Sequence, residues 1–111
     1  MQLLAFDRDT ALKRFGSREV LKEAIRAFLE ESPRLTDRLE MHALAGNLDE
    51  MAAMAHCLKG SLAMLEACQS VEAAEDLRRW ARQGNRAEAM AAWSRLVGAI
   101  ALLREELRQA G

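Results

Sequence analysis

The stretch AHCLKGSLAML, residues 55–65, holds one of only two histidines in the chain, with Lys59 three positions and Gly60 four positions after His56. An imidazole of ordinary pKa, about 6.5, is largely neutral near pH 7 and can act there as a nucleophile. At spacings of three and four on a helix, Lys59 and Gly60 are surface neighbours of His56. A metal site at either histidine needs further ligands. None stands at three or four positions from either histidine: those places hold Ala52, Ala53, Lys59 and Gly60 around His56, and Arg38, Leu39, Ala45 and Gly46 around His42. No metal site is therefore expected.

The helix that must carry His56 runs from Leu48 to about Leu65. At about 100° per residue, Met51, Ala55, Leu58, Leu62 and Leu65 share one arc, the expected core stripe. His56 lies off that arc. Ala52, Ala53, Gly60, Ala63 and Met64 surround it, a side with almost no charge where a solvated helix normally shows Glu, Lys and Arg. Gly60 inside a helix costs about 0.8–1 kcal/mol relative to Ala. Close approach of a partner protein gives that cost a reason, so these five residues are the expected docking patch.

Other conspicuous residues have plainer readings. His42 extends the apolar row of Leu35 and Leu39 and is expected at a packed boundary. Lys59 can also be read as a solubilising charge. Cys57 is expected to pack, and Trp80 and Trp93 fall in apolar rows. The run EDLRRWARQGNRAE reads as a solvated face. Cys57 and Cys68 lack CxxC spacing and are expected as reduced thiols.

The elements around this helix follow from punctuation. Breaks fall at FGS (15–17), AGN (45–47), ACQS (67–70) and QGN (83–85). Ser17 is the expected cap of a helix bearing Leu21, Ile25, Phe28, Leu35 and Leu39. Pro33 is expected to kink or restart it, with Ser32 as a second cap. GNLDEMAAM and GNRAEAMAAW each offer a Gly to end one helix, an Asn to cap the next and a Glu at its third position. Val71, Ala74, Leu77 and Trp80 mark another helix; Met90, Trp93, Leu96, Val97, Ile100, Leu103 and Leu107 mark the last. No window alternates as a strand does. The expected fold is all-α: an antiparallel up-down four-helix bundle, with a short N-terminal covering helix over roughly 9–15 that contributes Leu12 and Phe15.

Composition excludes several classes. The 111 residues suit one domain, taken as 1–111. Half are hydrophobic and 30% charged, unlike a disordered chain. No apolar run reaches the ~18 residues that span a bilayer. The start MQLLAFDRD has neither a basic region nor a small-residue cleavage site, so no signal peptide and a cytoplasmic location are expected. With 16 basic and 17 acidic residues intermixed, net charge −1, there is no basic block for nucleic acid.

AHCLKGSLAML resembles the H-x-L-K-G-S signature of histidine phosphotransfer (HPt) domains, which pass phosphoryl groups in two-component relays. FDRDTALKRFGS is similar to the family's N-terminal covering segment. EVLKEAIRAFLEESPRLTDRLEMHALAGNLDEM is similar to its long helix, turn and acidic helix start. The resemblance implies that His56 accepts the phosphoryl group, and it aligns Lys59 and Gly60 with the Lys and Gly of the signature. Lys59 would then face the phosphoryl oxygens. The chain departs from the family at Leu65-Glu66-Ala67, where Leu-Gly-Ala is frequent, and at Leu77-Arg78, where many members have Leu-Glu.

The implied function is that of a monomeric phosphocarrier, not an autonomous enzyme. It takes the group from a receiver-domain aspartate and returns it to another. Expected partners are response-regulator receiver domains and a hybrid sensor histidine kinase, with no nucleic acid or membrane. No cofactor of its own is expected, and Mg²⁺ would belong to the partner receiver. The alternative is a binding-only bundle that docks and regulates receivers without carrying phosphate. A histidine kinase dimerisation pair fits poorly, because the H-E/D-x-x-x-P type of signature is absent.

Overall fold

The computed structural model describes residues 5–110; residues 1–4 and 111, the ends of the expected 1–111 domain, lie outside them. The described residues form five α-helices and no strand: α1 (Arg8–Phe15), α2 (Arg18–Ala45), α3 (Leu48–Met64), α4 (Cys68–Arg82) and α5 (Arg86–Ala110). Apolar residues of helical period dictate this class, since each helix must bury one stripe against its neighbours.

Short polar residues set the helix starts. Asp7 accepts from the Thr10 amide at 3.2 Å and from its hydroxyl at 2.8 Å. Ser17 accepts from the Val20 amide at 3.4 Å. Asn47 and Asn85 accept from the amides of Glu50 and Glu88 at 3.4 and 3.1 Å. Each bond occupies one of the amide donors that a helix N-terminus leaves unpaired. Gly46 and Gly84, which end the preceding helices, adopt φ of 71° and 73°, a conformation that disfavours side chains. The two GN segments are thus matching stop-and-start signals.

Helix α3 packs along α4, and α4 along α5, while α2 meets both α3 and α5; α1 lies on α2. Met51, Ala55, Leu58, Leu62 and Leu65 are all buried, as the stripe requires. Burying a Leu or Met side chain contributes roughly 1.5–3 kcal/mol, so this stripe alone fixes which side of α3 faces inward. The N-terminal segment is tied to the far end of the chain, where the amides of Ala5 and Phe6 donate to the Glu106 carboxylate at 2.9 and 3.1 Å.

Of the kink or restart expected at Pro33, the restart is corrected: helix α2 runs unbroken through the proline. Ser32 is fully buried and caps nothing, while the Thr36 hydroxyl donates to the carbonyls of Ser32 and Pro33, both at 3.0 Å. Buried residues on both sides of the proline, Leu21, Ile25 and Phe28 before it and Leu39 and Ala43 after it, sustain the helix where local preference would end it. Val97 is 39% exposed, because Ala89 and Ala92 complete the inner face of α5 with Leu96, Ile100, Leu103 and Leu107. Cys57 does not pack: it is exposed, one step round α3 from His56.

Candidate functional site

His56 stands in the middle of α3, exposed, on the side away from the buried stripe. The stripe fixes the helix's rotation, and that rotation presents the imidazole outward. Of the residues expected around it, Ala53, Gly60 and Met64 are exposed and Ala63 is half-buried. A β-carbon built on Gly60 would meet nothing within 4 Å. The glycine is therefore not required by packing inside the protein.

Ala52 departs from the expected bare side. It is only 7% exposed and lines a cleft whose other wall is α4. The correction has a simple cause: periodicity gives a residue's angle on its own helix, but not how far the neighbouring helix reaches over it. His42 is half-buried near the end of α2, as expected, and its carbonyl accepts from the Asn47 amide at 2.9 Å.

The cleft, of 410 Å³, is lined by Asp49, Ala52, Ala53 and His56 from α3 and by Arg78 and Arg82 from α4. It has ample room for a phosphoryl-sized anion beside the imidazole. Neither guanidinium is engaged in a hydrogen bond or ion pair among the described residues, whereas Arg79 and Arg95 both pair with Asp76. Guanidinium groups offer planar, bidentate recognition of oxyanions. Arg78 and Arg82 escaped the sequence reading, which placed them on a solvated face. The missed signal is their spacing: Glu75, Arg78 and Arg82 form one row of α4, set off from the buried row of Ala74, Leu77 and Ala81.

Lys59 is half-buried, and its ammonium pairs with the Glu75 carboxylate on α4. That hydrogen bond, foremost, holds the Glu75 carboxyl below the usual carboxylate range; burial opposes it, and the charges of Lys59, Arg78 and His56 add to it in smaller measure. His56, Lys59, Glu75 and Arg78 thus form one electrostatic group bridging α3 and α4. Among the described residues, no group of three or more His, Cys, Asp or Glu could hold a metal ion. No described helix is long and apolar enough to cross a membrane.

The turn that follows α3 also bears on the departures from the family pattern. Glu66 has φ of 56°, the left-handed conformation normally taken by glycine. Its carboxylate accepts from Arg14 Nε of α1 at 2.6 Å, and α4 begins two residues later without a side-chain cap.

An all-helical frame that presents one exposed imidazole beside unengaged guanidinium groups has the makings of a helical phosphotransfer module. Residues 23–110 match the Hpt domain family, and the chain belongs to it. Members of this family are histidine phosphotransfer modules of two-component signalling, phosphocarriers rather than enzymes. Comparison with curated proteins and with solved structures gave no match.

Proposed function

We propose that this chain, read as one domain over 1–111, is a phosphorelay intermediate in which His56 carries the phosphoryl group. The observation that carries the reading is the exposed His56 imidazole in a cleft walled by Arg78 and Arg82. A ring nitrogen of neutral His56 attacks the phosphorus of a receiver-domain aspartyl phosphate. The N–P bond forms as the P–O bond to the aspartate breaks, and the aspartate leaves as a carboxylate. The reverse step delivers the group to the aspartate of another receiver. Such transfer depends on positioning and charge stabilisation more than on covalent help from the protein.

Within this reading Lys59, Arg78 and Arg82 supply positive charge to the phosphoryl oxygens. Mg²⁺ belongs to the receiver, and the chain contributes no cofactor. The partners are response-regulator receiver domains and a hybrid sensor histidine kinase, acting on a cytoplasmic monomer. Helices α2–α5 act as an antiparallel up-down bundle, with α1 as the cover over one end.

Docking uses the exposed side of α3, with Ala53, Gly60, Ala63 and Met64 in contact and Ala52 as the floor of the cleft. An apolar hollow lined by Phe15, Phe28, Leu35 and Met64 continues that surface across α1 and α2. Incubating the protein with a phosphorylated receiver and assaying acid-labile, base-stable protein phosphate tests the reading. Stable receiver binding with no transfer of phosphate would favour a binding-only module instead.

A further inference from the structure

The charges facing His56 are Asp49 and Lys59 from its own helix and Glu75, Arg78 and Arg82 from α4. Among them Glu75 is in an unusual position. Its carboxylate pairs with Lys59, the helix neighbour of His56, and lies one turn of α4 before Arg78, which lines the His56 cleft. A phosphoryl group on His56 carries between one and two negative charges near pH 7. It needs the same cations, and like charges at short range repel. Carboxylate and phosphoryl group therefore compete for Lys59.

We propose that Glu75 is the resident counter-anion of the His56 site and sets how tightly the site holds a phosphoryl group. In the unmodified protein Glu75 holds Lys59. When His56 carries phosphate, the phosphoryl oxygens draw Lys59 from Glu75, and the remaining carboxylate charge weakens the hold on the group. Glu75 makes and breaks no covalent bond: it is a positioning residue that acts through Lys59 and through its own charge. The consequence for a carrier is direct, because whatever destabilises phosphohistidine relative to aspartyl phosphate favours passing the group on. This role rests on the reading of His56 as the phosphoryl carrier.

The test uses inorganic phosphate as probe, with the whole chain, at fixed ionic strength because exposed ion pairs are screened by salt. Phosphate is titrated into the unphosphorylated protein while the His56 ring signals are followed by NMR. Glu75→Gln keeps the side chain's shape, removes its charge and frees Lys59. It should bind phosphate roughly two- to fivefold more tightly than the unaltered protein, the range expected from one exposed charge pair. Adding Lys59→Met to Glu75→Gln should cancel most of that gain, a coupling that a merely structural role would not produce. Asp76→Asn should change nothing, since Asp76 pairs with Arg79 and Arg95 and lies outside the cleft.

The same proteins, treated with phosphoramidate, should show phosphohistidine that is lost more slowly in Glu75→Gln. If Glu75→Gln binds phosphate no more tightly than the unaltered protein, or if the gain survives Lys59→Met, the proposal is wrong. If phosphoramidate leaves His56 unmodified in the unaltered protein, the carrier reading fails, while the phosphate titration still decides the role of Glu75.

Discussion

Arg14 of α1 and Glu66 of the α3–α4 turn are bonded at 2.6 Å, and Glu66 holds a left-handed backbone, φ 56°, while it makes that contact. A non-glycine residue in this conformation costs about 1–2 kcal/mol, and an exposed ion pair returns about 0–1 kcal/mol. The backbone term is the larger. Glu66→Gly should therefore leave stability unchanged or raise it by up to about 1 kcal/mol, despite losing the Arg14 contact. Thermal unfolding checks this; a melting temperature several degrees lower would mean that the ion pair, not the backbone, dominates the turn.

Gly60 gives a second prediction. Open space surrounds its β-position, so Gly60→Glu should keep the fold and raise stability slightly, by about 0.5 kcal/mol from helix preference. The new carboxylate would stand one turn from His56, in the path of a docking receiver. Transfer from a phosphorylated receiver should fall sharply, while phosphorylation by phosphoramidate, which needs no protein interface, should be less affected. Unaltered receiver-dependent transfer would remove this patch from the docking face.

Arg78 and Arg82 give a third. Both line the cleft and neither is committed to an acidic partner among the described residues. Replacing either by Ala should cost little stability, because no described ion pair is lost, yet shorten the lifetime of phosphohistidine. The double variant should lose it faster than either single one. Equal lifetimes in all three variants and the unaltered protein would leave the guanidinium groups without a role in holding phosphate.

Asp7 and Glu75 both contribute to the acid limb of stability. Bonding to Thr10 holds the Asp7 carboxyl below its usual range, and bonding to Lys59 does the same for Glu75. A carboxylate whose folded-state pKa is lowered contributes stability that is fully present above its unfolded value, about 3.9 for Asp and 4.3 for Glu. That contribution is lost as pH falls through the folded value. Stability from these two groups should thus be flat from pH 7 to about 5.5 and decline below about 4.5. Denaturant unfolding across that range should show a shallower decline in Glu75→Gln than in the unaltered protein.

The parts of this molecule legible in its sequence are those fixed by local chemistry. Asn47 and Asn85 announce helix starts because their side chains bond amides three residues on. The buried row from Met51 to Leu65 is legible because helical period alone assigns it to one side, and that same period puts His56 on the other. What resisted reading depends on a neighbouring element. Ala52 is covered and Arg78 and Arg82 are brought to His56 by the packing of α3 on α4. Pro33 is carried through a helix by the burial of residues before and after it. Glu66 takes the left-handed position of a turn, with a partner 52 positions earlier in the chain. Periodicity gives each residue an angle on its own helix; the identity of the residue facing it comes only from packing.

The central claim is that His56 carries a phosphoryl group, and mapping phosphate after incubation with a phosphorylated receiver tests it most directly. The unaltered protein and His42→Gln should both acquire acid-labile, base-stable phosphate located on His56. His56→Gln should remain folded by circular dichroism, since the ring is exposed and off the core stripe, and acquire none. Phosphate appearing on folded His56→Gln at the rate of the unaltered protein would contradict the account.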